Sequence, residues 1–243
     1  MKYRETLYQN YHTNQSGRAS LTDAKSLFDR EKWRFSKEIL PVTKEWSKDL
    51  KIIDMGCGSG SLVSLLNQSG FNNVIGIDLS KEQVDLGKEL GVDNLVQADI
   101  IEYLNVQNIK MDVLFGMDII EHFTKDELVE LLTNIKSHMN NGGKVIFRTP
   151  NLDAPFSTVF ANGDFTHENY LNLSSAEQLM LSVGFKSVKV HESNMDIKGF
   201  VKNSIRKCIW ALLKFRLKLI LFATGRSTRG LIFSPNLIIE VTV

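Results

Sequence analysis

Two short stretches hold residues whose types and spacing could do chemistry. In DIIEHF, Asp118, Glu121 and His122 are spaced so that they can share one side of a helical turn. In GDFTHENY, Asp164, Thr166, His167 and Glu168 follow a Thr-Pro-Asn turn, and His167 could close a site of two carboxylates and two imidazoles. A third stretch, IIDMGCGSG, runs from an apolar pair through Asp54 into Gly56, Cys57, Gly58, Ser59 and Gly60. Glycines let backbone approach a ligand closely, and a helix that follows offers free N–H groups. The spacing is Gly-x-Gly-x-Gly. It is neither the Gly-x-Gly-x-x-Gly of dinucleotide folds nor a P-loop with its Gly-Lys-Ser/Thr ending. A tight turn that merely needs glycine would look the same.

The elements that must position these residues alternate along the chain. Apolar, β-branched runs predict strands over 51–55, 73–78, 93–97, 111–116, 143–149, 186–192 and 236–243. Helical stretches between them predict a parallel sheet with crossover helices, an α/β fold. Ser80 with Gln83, Thr124 with Glu127, and Ser174 with Glu177 read as capping boxes. Gly70 and Gly91 sit where helices should end, and residues 139–143 (MNNGG) read as a turn into the fifth strand. The glycine loop then falls at the carboxyl end of the first strand, where such sheets bind ligands. Asp78 ends the second strand, where an acid can accept both hydroxyls of a ribose. Asp99 follows the third strand, placed to accept from an adenine amino group.

The chain of 243 residues is 43% hydrophobic and 23% charged, enough for one large α/β domain with a real core. Cys57 and Cys208 show no metal spacing and no disulfide framework, which predicts a reducing, cytosolic setting. The first twenty residues lack the apolar core of a signal peptide, and no uncharged apolar run reaches the ~18 residues of a membrane span. The net charge of +1 hides an asymmetry. From Ile197 to Ile239 there are nine basic residues and no acid, whereas residues 1–196 hold 27 of the 28 acids and carry −7. A basic tail beside an acidic body points the tail at an anionic surface, its own or another's.

Taken together, IIDMGCGSG, VIGIDLS, VQADI, MDVLFGMDIIEH and GGKVIFRTPN resemble the class I S-adenosylmethionine-dependent methyltransferases, over about residues 45–193 with a last strand at 236–243. The resemblance implies a Rossmann-like, doubly wound, seven-stranded sheet, mostly parallel with an antiparallel last strand and helices on both faces. It implies that Asp54, Gly56, Cys57, Gly58 and Gly60 face the methionine part of S-adenosylmethionine. Asp78 and Leu79 would lie at the ribose, Ala98 and Asp99 at the adenine, and Met117 and Asp118 at the methionine end. Cys57 reads as a small residue filling the turn rather than a catalytic thiol. Methyl transfer to an alcohol needs the acceptor aligned and its proton removed, by a base or with help from a metal. The acid-x-x-Glu-His element and the later His are similar to those of small-RNA terminal 2′-O-methyltransferases, and ubiquinone-biosynthesis O-methyltransferases carry a like Glu-His pair. By that resemblance His122 and His167 are catalytic candidates. Asp118, Glu121, His122 and His167 are candidate ligands for Mg, Mn or Zn, with Asp118 one methylene short of the usual Glu. Without a metal, His122 would orient the loop or serve as a base, and Asp164 would anchor the loop.

One domain over 1–243 is expected: a helical lid over 1–46, a cofactor-binding core over 47–196, a basic amphipathic insertion over 197–230 and a last strand over 231–243. Tyr8, Tyr11 and His12 would help cover the cofactor, and Arg18 and Arg34 could meet an anionic acceptor. Within 200–223, Lys207, Lys214 and Lys218 fall within roughly 40° of one another on a helical wheel, and most of the rest is apolar. That is the pattern of a helix lying on a membrane surface. The alternatives are a packed extension, a homodimer surface or a cap over the substrate pocket. Nucleic acid is not expected for so apolar a segment on an acidic body. The insertion resembles that of bacterial surface-polysaccharide methyltransferases. The expectation is therefore a cytoplasmic O-methyltransferase, at the inner face of the membrane where the tail binds lipid. Its acceptor would be a saccharide hydroxyl or terminal phosphate, lipid-linked or free. The alternatives are a phenolic lipid of the ubiquinone type, and a cofactor-binding scaffold without catalysis.

Overall fold

The computed structural model describes residues 21–227 and 230–243. Tyr8, Tyr11, His12 and Arg18 lie outside the described residues, as does the first part of the expected lid. Chain order is α1 (Leu21–Glu38), α2 (Leu40–Thr43), β1 (Lys51–Met55), α3 (Ser61–Gln68), β2 (Asn73–Asp78), α4 (Lys81–Glu89), β3 (Leu95–Gln97), α5 (Ile100–Gln107) and β4 (Met111–Met117). After a single 3₁₀ turn at Ile120–His122 come α6 (Lys125–His138), β5 (Met139–Pro150), α7 (Ser157–Ala161), α8 (Leu173–Val183), β6 (Ser187–Glu192), α9 (Phe200–Ala223) and β7 (Asn236–Thr242).

The seven strands form one sheet in the order β3-β2-β1-β4-β5-β7-β6. β7 pairs antiparallel with both β5 and β6, and the other pairings are parallel. The strand order reverses between β1 and β4, so the crevice above these two strands is where a ligand belongs. Alternation along β1 explains the two cores. Ile52 joins Phe28, Phe35, Leu62, Leu66 and Phe115 on one face, whereas Ile53 and Met55 join Leu114, Leu131, Ile135 and Phe147 on the other. In α6, Leu128, Leu131, Leu132 and Ile135 are buried at the three- and four-residue spacing of one helical stripe.

Local start signals act largely as the side chains dictate. Thr124 and Glu127 form a reciprocal capping box on α6, and Ser80 accepts from Gln83 N at the start of α4. Gly70 and Gly91 lie just past α3 and α4 with φ of +89° and +84°. Three expectations need correction. The box at the start of α8 uses Asn172 and Ser175, not Ser174 and Glu177, because Asn172 Oδ1 and Ser175 Oγ satisfy each other's backbone N–H at 3.0 and 2.9 Å. Residues 139–143 extend β5 instead of turning into it. Met111 pairs with Met139 but Val113 with Lys144, and a bulge with Gly142 at φ +76° absorbs the excess residues. β3 keeps only Leu95–Gln97 of the expected five residues.

Candidate active site

The glycine loop joins β1 to α3 at the crevice. Gly56 sits at φ +68°, and a Cβ there would lie 2.8 Å from Ile119 Cγ1, so the chain reversal needs glycine for both conformation and space. Asp78, at the end of β2, organises the loop. Its Oδ2 accepts from Gly58 N and its Oδ1 from Ser80 N, each at 2.8 Å. Each carboxylate oxygen keeps lone-pair capacity for a further donor. Asp99 caps α5, accepting from Ile101 N and Glu102 N through Oδ1. A cavity of about 280 Å³ runs between these groups, walled by Gly58, Asp78, Leu79, Ala98, Asp99 and Phe123 among others. Acids at a ribose position and apolar walls at a base position suit an adenosine.

A second cavity of about 510 Å³ shares Gly56, Gly58, Asp118 and His122 with the first. It is lined further by Glu31, Arg34, Asp54, Cys57, Met117, Arg148 and His167. Asp54 is 2% exposed, and its carboxyl is pushed well above the usual range, first by burial and then by Asp78. Glu31, from α1, is raised by burial despite a hydrogen bond from Ser61 Oγ at 3.2 Å. Two carboxyls held at the cost of desolvation fit a cationic group, such as an amino acid's ammonium. Burial also raises the Cys57 thiol well above its usual value, which keeps it protonated and unreactive.

The DIIEHF and GDFTHENY stretches do meet. Glu168 N and Asn169 N donate to Glu121 O, at 2.8 and 3.2 Å, and Asn169 Nδ2 donates to Ile120 O and Phe123 O. This clamp brings the His122 and His167 ring centroids to 4.8 Å, edge to face. Ligand atoms of Glu121, His122 and His167 lie within 4.8 Å of one another. The hydrogen-bond network fixes both tautomers. Thr166 Oγ1 donates to Asp164 Oδ1 at 2.6 Å, so it can only accept from His122 Nδ1 at 2.8 Å. His167 Nδ1 faces the carbonyl of Ala161 at 2.7 Å and must carry the proton. Each ring thus turns its Nδ1 to a protein oxygen. Burial, then His167, depresses the His122 pKa to about 4, and burial, then Asp118, raises that of Glu121 to about 8.

Asp118 departs from its expected company. It sits at φ +56° before the 3₁₀ turn rather than on it, and its carboxylate is taken by Arg148. Arg148 Nε lies 2.9 and 3.0 Å from the two oxygens, and Nη2 binds Oδ2 as well. A guanidinium fork matches a carboxylate two bonds at a time, so Asp118 faces Arg148 instead of the imidazoles. Arg148 Nη1 also donates to Glu38 Oε2 at 3.0 Å. Glu31, Glu38 and Arg148 were not anticipated, and Thr166 was noted without its role. The one visible signal was Arg148, a cation at the end of the apolar run VIF.

Residues 22–190 match the family described as "Methyltransferase domain". The chain belongs to that family. With this sheet and loop, it is a class I, S-adenosylmethionine-type methyltransferase domain, as the motifs implied. The ribosomal protein L11 methyltransferase of Lactobacillus johnsonii is 30% identical over 111 residues, 45% of this chain and 34% of that protein. The ubiquinone biosynthesis O-methyltransferase of Rickettsia conorii is 28% identical over 155 residues, 62% of this chain and 52% of its own. The matches thus span a third to a half of the length of these curated relatives. A S-adenosylmethionine-dependent methyltransferase from Archaeoglobus fulgidus shares the fold, with a TM-score of 0.65, 20% identity and coverage of 89% of this chain and 94% of that one.

Proposed function

We propose that this methyltransferase domain methylates a hydroxyl oxygen, with S-adenosylmethionine along the glycine loop and the acceptor beside Glu121, His122 and His167. The observation that carries the reading is the meeting of Glu121, His122 and His167, whose ligand atoms lie within 4.8 Å of one another, at the larger cavity that Gly56 and Gly58 also line. Bound S-adenosylmethionine supplies an electrophilic methyl group on a sulfonium. Asp78 would hold the ribose hydroxyls, Asp99, Ala98 and Leu79 would frame the adenosine, and Asp54 with Glu31 would meet the ammonium. Met117 would border the methionine end.

The acceptor's proton has two routes. A histidine with a pKa of about 4 is a weak proton acceptor for an alcohol, so His122 is better suited to orient the hydroxyl than to deprotonate it alone. His167, whose Nδ1 is held by the Ala161 carbonyl, would present its Nε2 as the candidate base. Alternatively, Glu121, His122 and His167 would hold a divalent cation (Mg, Mn or Zn), whose charge would lower the pKa of the acceptor hydroxyl. A metal ligand must offer an unprotonated ring nitrogen, and burial, which holds His122 below its usual pKa, favours that form there.

The cavity beside this group is lined by Arg34, Asp118, Arg148, Asp164 and Asn236, which supports a saccharide hydroxyl or phosphate. The Rickettsia relative's name supports instead a phenolic acceptor of the ubiquinone type. The test is a methyl-transfer screen against nucleotide sugars, lipid-linked glycans and quinone precursors, with and without chelator. His122→Ala is expected to leave cofactor affinity intact and cut turnover ~10²-fold. Full activity in both His122→Ala and His167→Ala would remove the pair from catalysis. Cofactor binding without methyl transfer to any of these acceptors would favour a scaffold.

A further inference from the structure

The 24-residue helix α9 has no buried residue. At about 1.5 Å per residue it is about 36 Å long. Its inner stripe is the partly covered set Asn203, Arg206, Trp210, Lys214, Leu217 and Leu221. Ion pairs fasten this side to the body. Lys214 Nζ lies 3.3 Å from Glu192 Oε1 at the end of β6, and Arg206 and Lys207 each lie 3.3 Å from Asp196 Oδ1. Of the lysine stripe singled out in the sequence, Lys214 is thus turned to the protein, whereas Lys207 and Lys218 stay exposed at the edge of the outward face.

At about 100° per residue, the arc opposite the inner stripe spans roughly 100° and carries Val201, Ile205, Leu212, Phe215, Leu219 and Phe222. These six side chains are 50–79% exposed. The arc holds no charged residue. Lys202 and Arg216 border it on one side, and Lys207 and Lys218 on the other. An exposed apolar strip of this length is unusual on a soluble protein without a partner. We propose that this outward face of α9 seats on an anionic lipid surface, with the apolar strip in the headgroup–acyl boundary and the flanking cations at the lipid phosphates.

Charge selects this occupant. With nine basic residues and no acid between Ile197 and Ile239, a second copy packed strip to strip would bring cation against cation. An anionic bilayer supplies counter-charge along both borders. No helix among the described residues is long and apolar enough to cross a membrane, so contact through α9 would be lateral. The base of α9 is also tied to the catalytic crevice. Asn194 N donates to Glu38 Oε1 at 2.9 Å, and Glu38 Oε2 accepts from Arg148. Seating α9 would hold that crevice at the lipid surface whatever its acceptor.

The experiment is flotation of the full chain with phosphatidylcholine vesicles, with and without phosphatidylglycerol. Wild type is expected to float only with the anionic vesicles and to be released by high salt. L212E/F215E/L219E and, separately, K202E/R216E/K218E are expected to lose binding at least about tenfold, with cofactor affinity by calorimetry unchanged. Lys207 and Lys214 are left alone because they fasten the helix. Where the apolar triple variant fails to bind cofactor, the charge variant and the single Leu212→Ser decide. Absence of wild-type binding, or equal binding by the variants, overturns the proposal. A dimer in sedimentation that L212E/F215E/L219E dissociates, without vesicle binding, would assign the face to a second copy. The readout needs no turnover, so it stands or falls separately from the methyl acceptor.

Discussion

At the scale of single residues, the site is defined by who donates to whom. Asp164 fixes Thr166, Thr166 fixes His122, and the Ala161 carbonyl fixes His167, so both imidazoles turn Nδ1 to the protein. The sequence displayed both histidines and Thr166 but not the contact of Thr166 with His122, because a hydroxyl in a loop carries no signal of which ring it will meet. Glu31 is a similar case: one acid among the charges of α1, and only the packing of that helix on α3 brings its carboxyl to Ser61 and the crevice, where desolvation raises its pKa. Its raised pKa has a consequence for stability. The folded state holds this proton above the pH at which the unfolded chain releases it. Stability from Glu31 is therefore full below about pH 4.5 and is lost as pH rises through the raised value. Glu31→Gln keeps an acceptor for Ser61 without the buried charge. It should melt above wild type at pH 8, by roughly 2–4 °C for each kcal/mol recovered, and the gap should close near pH 4. A constant gap at both pH values would show that ionisation of Glu31 is not the cause. If Glu31 and Asp54 meet the cofactor's ammonium as proposed, the same variant should bind the cofactor more weakly.

At the scale of elements, strand ends do the positioning. The carboxyl ends of β1, β2 and β3 bring the glycine loop, Asp78 and Asp99 into one crevice, and this much was legible because each strand is a β-branched run followed by its functional residue. Asp78 links two of these ends by accepting the Gly58 N–H. Asp78→Ala removes both the loop's anchor and the acceptor for ribose hydroxyls. Calorimetry should show cofactor affinity reduced at least about tenfold, about 1.4 kcal/mol. Unchanged affinity would end the ribose assignment. Where side-chain chemistry offered two solutions, the sequence was a weaker guide. Ser174-x-x-Glu177 and Asn172-x-x-Ser175 are both legitimate caps, and the loop ending at Leu171, buried against the core, selects the earlier start.

At the scale of the whole molecule, Arg148 joins parts distant in sequence. It reaches Asp118 after β4 and Glu38 at the end of α1, and Glu38 in turn holds Asn194 before α9. The Arg148 and Glu38 side chains are 9% and 7% exposed. Arg148→Met would leave two carboxylates without their cation, and urea unfolding should show a loss of about 3–5 kcal/mol. A loss under about 1 kcal/mol would mean that the network behaves like an exposed pair. The amino-acid sequence by itself determined the fold class, the strand order's family and the cofactor crevice, since periodicity and strand-end residues are local properties. Tertiary structure alone decided that Asp118 serves Arg148 rather than the histidines, that Glu31 enters the crevice, and that α9 turns Trp210 and Lys214 inward and Leu212, Phe215 and Leu219 outward. Each of these depends on which groups meet across long stretches of chain, and a burial cost or an ion pair exists only once they have met.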